Sequence, residues 1–338
     1  MEIASPMPLT SHSTSIPASV FSAASHAKDL LRDTALVDLG HALQERGYGF
    51  TTVTPLTHSR VNARAGNQWA NGLEDVLGWS RPFDAQVVPA DIFELMQKAQ
   101  ILLPHERGWR SSVRASTLHG ELFFHSAYPT SDNDAVFFGP DTYRFVDAIE
   151  RHLEQRTHPV QRAVDIGCGA GPGAITLARR YASAEVFAVD INDAALRLTA
   201  VNAAIAGTDN VMPLHSNLLN GIEGSFDLII ANPPYLVDPA QRAYRHGGGS
   251  LGMDLSLHIV DAAISRLRHG GTLILYTGAP IVNGRDAFKI AVEEKLRSAH
   301  FLCQYREIDP DVFGEELLNE AYAATDRIAA VVLIGHAR

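Results

Sequence analysis

An α/β fold on a mostly parallel sheet, preceded by a smaller α+β unit, is the class that this sequence predicts, and three observations carry it. From Ala163 onward, strand-like runs (AVDIG, EVFAVD, VMPLH, FDLIIAN, TLILYTG) alternate with helical stripes, as in sheets joined by helical crossovers. Arg162 to Ile175, RAVDIGCGAGPGAI, reads as a strand, a tight turn with four glycines in seven residues, and a helix. The chain closes on FLCQYREI and AAVVLIGH, separated by an acidic insertion from Asp309 to Asp326. An antiparallel pair at the sheet edge suits that ending.

Taken in order, residues 1–26 are rich in Ser, Pro, Thr and Ala with hardly any charge, which predicts a loose tail. From Ala27 to Arg46, Leu30, Leu31, Leu36, Val37, Leu39 and Leu43 fall on one helical stripe that Gly47 and Gly49 end. Between Gly72 and Pro129 the sequence predicts short helices over LEDVLGW and VPADIFELMQKAQILL, then a strand pair split near His119 and Gly120. Helix, helix and hairpin suggest a winged-helix-like unit, a lid or dimer-forming domain in which Arg107, Arg110 and Arg114 are available for phosphate contacts. Pro140 and Asp141 then open a helix whose apolar face is Tyr143, Phe145, Val146, Ile149 and Leu153. Further helices are expected after Gly173, from Asn192, over Leu255 to Leu267 and over Arg285 to Ser298. The expected organisation is a tail over 1–26, a substrate, lid or dimerisation domain over 27–133, and a catalytic domain over 134–338.

At 338 residues and 46% hydrophobic content the chain can fill two cores. Its formal charge of −10 weighs against a broad nucleic-acid surface. Cys168 and Cys303 are too few for a disulfide framework, which points to a reducing compartment. No apolar run approaches the roughly 20 residues of a membrane span, and a cytoplasmic protein is expected. The fifteen histidines show no paired ligand spacing on a helix face, so no metal site is predicted.

Three motifs carry chemistry. Gly167, Gly169 and Gly171 let the backbone turn where a side chain is excluded and let a nucleotide-like ligand lie against main chain. Asp190, followed by Ile191 and Asn192, ends EVFAVD about 20 residues beyond that turn, where a carboxylate accepts from both ribose hydroxyls; capping of the next helix is the plainer alternative. Asn232-Pro233-Pro234-Tyr235 ends the apolar run FDLIIA. Proline removes its own donor and stiffens the residue before it. The Asn232 carboxamide and the Pro233 carbonyl become fixed acceptors for an amino group, with Tyr235 placed to stack on a planar substrate.

With these motifs the stretch from Phe138 to Arg338 resembles the class I S-adenosylmethionine-dependent methyltransferases, in the branch with an Asn-Pro-Pro-Tyr turn. That branch includes release-factor glutamine methyltransferases, base-amino methyltransferases of nucleic acids and bacterial small-domain methyltransferases. The resemblance implies a Rossmann-like seven-stranded sheet of order 3-2-1-4-5-7-6 with the seventh strand antiparallel. S-adenosylmethionine is the implied methyl donor. Asp165, Gly167, Gly169 and Gly171 would cradle its methionine part, Asp190 its ribose and Asn217 its adenine, with Asn232 to Tyr235 holding the acceptor. Phe137, Phe138, Asp141 and Tyr143 would roof the pocket. The glycine-rich loop Ala243 to Asp254, with Tyr244, Arg245 and His246, would close over substrate as a mobile cover.

The activity expected from this is methyl transfer to an amino nitrogen of a small metabolite or natural-product intermediate, by a chain that would pair as a homodimer through its N-terminal domain. Three alternatives stay open. The chain also looks similar to natural-product adenosylmethionine cyclases, in which the donor's own amine closes to azetidine-2-carboxylate and expels methylthioadenosine. Methylation of a protein glutamine or a nucleic-acid base uses the same held nitrogen. A DNA-binding regulator with a ligand-sensing core is of another class.

Overall fold

The computed structural model describes residues 18–242 and 244–338. The expected tail therefore lies outside the described residues as far as residue 17, and residues 18–26 belong to a helix instead. Helix α1, Ala18–Glu45, begins nine residues before the sequence expectation; alanine-rich, weakly charged sequence is compatible with helix once the helix has somewhere to dock. Its buried stripe is Leu36, Leu39 and Leu43, whereas Leu30 and Leu31 are 63% and 71% exposed. Helix α2, Pro55–Asn62, follows with Thr54 accepting from the Thr57 amide at its start.

Glu74–Gly78 forms a single wide turn, and helix α3 covers Ala90–Lys98. The predicted helix to Leu103 stops early because Gln100 takes a left-handed φ of 56°. The chain there enters a hairpin the sequence did not announce, β1 (Leu102–His105) with β2 (Gly108–Ser111). The expected strand pair is β3 (Val113–Leu118) with β4 (Glu121–Ser126), turned by His119 and Gly120 at φ of 49° and 85°; two-residue hairpin loops favour such dihedrals. Arg107, Arg110 and Arg114 do not form one face. Arg107 stacks 4.3 Å from the Trp69 ring, while Arg114 is 4% exposed and donates to the His58 ring.

The larger unit contains α4 (Pro140–Gln155), β5 (Arg162–Ile166), α5 (Pro172–Arg180), β6 (Glu185–Asp190), α6 (Asp193–Ile205), β7 (Val211–His215) and β8 (Phe226–Ala231). After it come α7 (Asp254–Arg266), β9 (Leu267–Val282), β10 (Arg285–Asp286), α8 (Ala287–Ser298), β11 (Leu302–Asp309) and β12 (Arg327–His336). The sheet runs β7-β6-β5-β8-β9-β12-β11, with short β10 also on β9. Strands β5 to β9 pair in parallel and β12 lies antiparallel to both its neighbours. In strand order this is 3-2-1-4-5-7-6 with an antiparallel seventh, as the resemblance implies. Helix α8 starts at Ala287 rather than Arg285 because Arg285 and Asp286 pair with β9 and the Asp286 carboxylate caps the helix at Lys289.

Sheet residues alternate between two cores, as a period of two requires. Ala163, Leu228, Ile230, Ile274 and Ala330 pack with α4 and α5 on one side; Val164, Ile229, Leu273, Leu275 and Val331 pack with α7 and α8 on the other. A third core is shared across the two regions of the chain. It joins Leu36, Leu39 and Leu43 of α1, Phe123 and Phe124 of β4, and Ala195, Leu198, Val201 and Ile205 of α6. Asn202 ties the same seam by accepting from the Phe124 amide and donating to its carbonyl. No described helix is long and apolar enough to cross a membrane.

Candidate active site

Strand β5 ends in the glycine turn at the carboxyl edge of the sheet. Gly167, Gly169 and Gly171 all have left-handed φ, of 72°, 56° and 83°. Their spaces differ: a Cβ on Gly167 would meet nothing within 4 Å, whereas one on Gly171 would sit 2.9 Å from Thr199. Gly167 and Gly169 therefore line a cavity of about 220 Å³, and Gly171 is a packing position behind it. The turn is held from β6, whose Val189 carbonyl accepts from the Gly167 and Cys168 amides. Both cysteines are free thiols, with Cys168 buried.

Two carboxylates stand on this wall. Asp190 accepts from the Gly169 amide at 3.1 Å and the Asn192 amide at 3.0 Å. It does not cap α6; Asn192 does, accepting from the Ala194 amide. Burial raises its pKa against those amide bonds. Asp165, at the end of β5, is 1% exposed; one oxygen accepts from the Ala174 amide, and the other has no partner. Burial, with the nearby Asp190 charge adding, lifts its carboxyl to about 7. An unpartnered buried carboxylate oxygen facing an open backbone cradle fits a ligand that brings a cation or a donor.

Strand β8 delivers Asn232, Pro233, Pro234 and Tyr235 to the same cavity. Tyr235 is 6% exposed, and its hydroxyl donates to Asp141 at 2.5 Å. It is thus a fixed wall rather than a free stacking platform. The other Asp141 oxygen accepts from Tyr276 at 2.6 Å and from Arg144 at 3.2 Å, and Arg144 also reaches Asp309 at 2.8 Å. Burial raises the Asp141 pKa, opposed by the two tyrosine bonds. A buried carboxylate satisfied by two hydroxyls and a guanidinium is a rigid anchor for the strand end that carries Asn232.

Tyr244 and Arg245 also line the cavity, but the loop carrying them is tied rather than loose; Ala243 lies outside the described residues. Leu236 donates to the Arg245 carbonyl, Gly247 to the Leu236 carbonyl and Leu255 to the Gly247 carbonyl. The Tyr244 hydroxyl donates to the Thr130 carbonyl at 2.7 Å, and Arg245 pairs with Glu316. The glycines serve close packing: a Cβ on Gly252 would lie 2.2 Å from the Tyr235 carbonyl oxygen. His246 accepts from the Asp238 amide and is not among the cavity residues. Neither are Phe138, stacked 5.0 Å from His125, nor Tyr143, whose hydroxyl accepts from the Thr52 amide. Both pack into the core shared with the N-terminal region, together with Val146 of α4. Phe137, Asp141, Ile191 and Asn217 do line the cavity.

Sequence reasoning missed Pro55, Ala135, Val136 and Phe313 on the cavity wall, and Tyr276 and Arg144 behind it. A tyrosine within the otherwise aliphatic run TLILYTG was the available signal for Tyr276. It also missed a trio that the fold assembles, in which the two His119 ring nitrogens approach Asp147 and Glu150 of α4 at 3.2 and 2.9 Å. His119 and Asp147 are exposed, and the trio is an ordinary surface cluster of an imidazole between two carboxylates.

The chain matches the family model of the methyltransferase small domain over residues 146–285. It is 33% identical over 227 residues to the release factor glutamine methyltransferase of Deinococcus radiodurans, covering 62% of this chain and 77% of that protein. It is 33% identical over 194 residues to the ribosomal protein uL3 glutamine methyltransferase of Xanthomonas campestris pv. campestris, covering 54% of this chain and 62% of that protein. For the corresponding uL3 enzyme of Neisseria meningitidis serogroup A the figures are 32% over 146 residues, 40% and 47%. The chain thus spans about half to three fifths of the length of the uL3 relatives. Among solved structures, Trm5 of Methanocaldococcus jannaschii in complex with adenosine aligns with a TM-score of 0.47 and 16% identity, covering 77% of this chain and 63% of that one.

Proposed function

This chain belongs to the class I S-adenosylmethionine-dependent methyltransferases in their Asn-Pro-Pro-Tyr branch, and on that premise we propose that it methylates the side-chain amide nitrogen of a glutamine in a protein. The observation that carries the reading is the convergence of Asp165, Asp190 and Asn232 on one cavity from the ends of three neighbouring parallel strands. The names of the relatives support a protein glutamine as acceptor. The preference for a small metabolite rested on the charge of −10. That argument weighs against nucleic acid and says nothing against a protein.

S-adenosylmethionine supplies a methyl group already activated on a sulfonium, so the protein needs to bind, aim and exclude water. Asp190 would accept from the ribose hydroxyls with the lone pairs that Gly169 and Asn192 leave. Asp165 would offer its unpartnered oxygen to the methionine part, Gly167 would give it room, and Asn217 and Ile191 would flank the base. On the acceptor side, the Asn232 side-chain oxygen and the Pro233 carbonyl would take the two amide hydrogens. Those bonds improve as the nitrogen leaves planarity, which favours the transition state over the ground state. Asp141, through Tyr235, keeps this turn from moving.

A second reading uses the same cavity with the donor's own methionine amine as the acceptor; Tyr244 and Arg245, which line it, are held from outside by the Thr130 carbonyl and by Glu316. In that reaction the nitrogen bonds to the gamma carbon as the carbon–sulfur bond breaks, methylthioadenosine leaves and the amine proton passes to solvent. The full chain incubated with S-adenosylmethionine, with and without a glutamine-bearing peptide, separates the two. S-adenosylhomocysteine formed only with the peptide supports amide methylation; methylthioadenosine formed without any acceptor overturns it in favour of cyclisation. If the acceptor is a separate glutamine, Asn232→Ala should leave donor affinity within about twofold and lower turnover about a hundredfold, the usual cost of one transition-state hydrogen bond. Equal loss of both would make Asn232 structural.

A further inference from the structure

The opposite, amino edge of the sheet carries a second cavity, of about 510 Å³, between the end of α4, the start of β9, β11 and the end of β12. In a chain with net charge −10 its lining is basic: Arg151, Arg156 and Arg306 with His152, His158 and His336, against the single carboxylate Glu154. Basic residues often complement the negative end of a helix, and Arg156 does follow α4. Its guanidinium, however, is turned away from the last turn. It donates to the His158 carbonyl at 3.2 Å, the Thr272 hydroxyl at 2.9 Å and the Asp227 carbonyl at 3.5 Å. The Asp227 carboxylate is occupied by the Gln161 and Arg162 amides and by Arg268. Among the described residues Arg156 therefore has only neutral acceptors.

The same Thr272 hydroxyl that accepts from Arg156 lies 3.1 Å from His336 Nδ1, so the guanidinium and this imidazole share one partner. The His152 ring lies 5.5 Å from that of His336, and its Nε2 is buried without a partner. Burial, then the positive neighbours, holds His152 at about 4 and His336 below its ordinary value.

We propose that this cavity is a binding site for a small phosphorylated anion, seated between Arg156, Arg306, Arg151, His152 and His336. A phosphate group offers several anionic oxygens at once, which suits a cavity lined by three arginines and three histidines; a single carboxylate would leave most of them unpaired. Burial is the larger cause that keeps the imidazoles neutral and the positive neighbours the smaller; a seated anion would offset the second and favour proton uptake, with Glu154 the one carboxylate in the lining and the Tyr305 hydroxyl bonded to Asp286.

Calorimetric titration of the full chain with inorganic phosphate and pyrophosphate, at constant ionic strength in chloride, tests this. Saturable binding of pyrophosphate is expected, weakened at least about tenfold by Arg306→Gln, an exposed position, and by Arg156→Gln. Binding of S-adenosylhomocysteine by each variant shows that it is folded and that the opposite edge is intact. No binding of either anion overturns the inference, as does binding that both variants leave unchanged. Binding of a single-stranded oligonucleotide alone, with a steep salt dependence, would also overturn it in favour of a nucleic-acid surface.

Discussion

Asp165 is a carboxyl group held near 7 with one oxygen unused, and this has two consequences of opposite sign. For the empty fold, a carboxyl raised from 3.8 contributes stability that is present below pH 3.8 and lost as pH rises to about 7, because the unfolded chain gives up its proton first. For a cationic ligand the ionised form is the partner, so affinity for S-adenosylmethionine should rise between pH 6 and pH 8 by up to about tenfold. Calorimetry at those two pH values checks it. Asp165→Asn should flatten the dependence, and a slope that survives the substitution would move its origin elsewhere. Asp190→Ala, by contrast, removes hydrogen bonds to a charged group and should weaken the donor about tenfold or more at pH 8.

At the scale of elements, the loop between β8 and α7 shows how glycines mislead. Three in a row suggest mobility, yet Gly249 and Gly252 have φ of 67° and 80° with neighbours that a Cβ would strike. Gly252→Ala would press on the Tyr235 carbonyl and add left-handed strain of about 1–3 kcal/mol. The expected result is a donor affinity within about twofold and turnover reduced about tenfold or more, as Tyr244, Arg245 and the Asn232 strand end shift. Gly284→Ala is the control: φ is 69° but nothing lies within 4 Å, so it should lower Tm slightly and spare turnover. Equal behaviour of the two variants in turnover would mean that the loop does not position the site. The other elements were legible where their signals are local. The glycine turn, the apolar strands and the Asx-type caps lie within a few residues of sequence. The β1–β2 hairpin was not, since Leu102 and Leu103 continue an apolar helical pattern that the left-handed Gln100 breaks.

For the whole molecule, the seam between the N-terminal region and the sheet decides both stability and the shape of the cavity. Beside it, within the N-terminal region, lies a buried polar cluster in which His58 Nε2 donates to the Trp79 carbonyl at 2.8 Å, Nδ1 accepts from Arg114, and the ring stacks on Tyr128 at 4.0 Å. Burial and the arginine charge hold His58 at about 4, and burial holds His125 well below its ordinary value. A depressed histidine contributes stability that is intact above pH 6.5 and lost as pH falls towards 4, because the unfolded chain protonates first. Asp141, Asp165 and Asp190 run the other way, so the test is a difference: going from pH 7 to pH 5 should shift the urea midpoint of His58→Gln less unfavourably than that of the wild type. Equal shifts would mean that His58 stays solvated in the fold. From the sequence, the alternation of strands and helices predicted the α/β class, the resemblance implied the sheet order and the donor, and Asp165, Asp190 and Asn232 were expected at strand ends, which a parallel sheet brings to one edge. Only the tertiary structure decided that Tyr235 is tethered to Asp141, that Tyr276, 135 positions away, completes that anchor, and that Pro55 and Val136 close the cavity. Such contacts depend on how separate elements dock, and packing between distant residues leaves no period in the sequence to read.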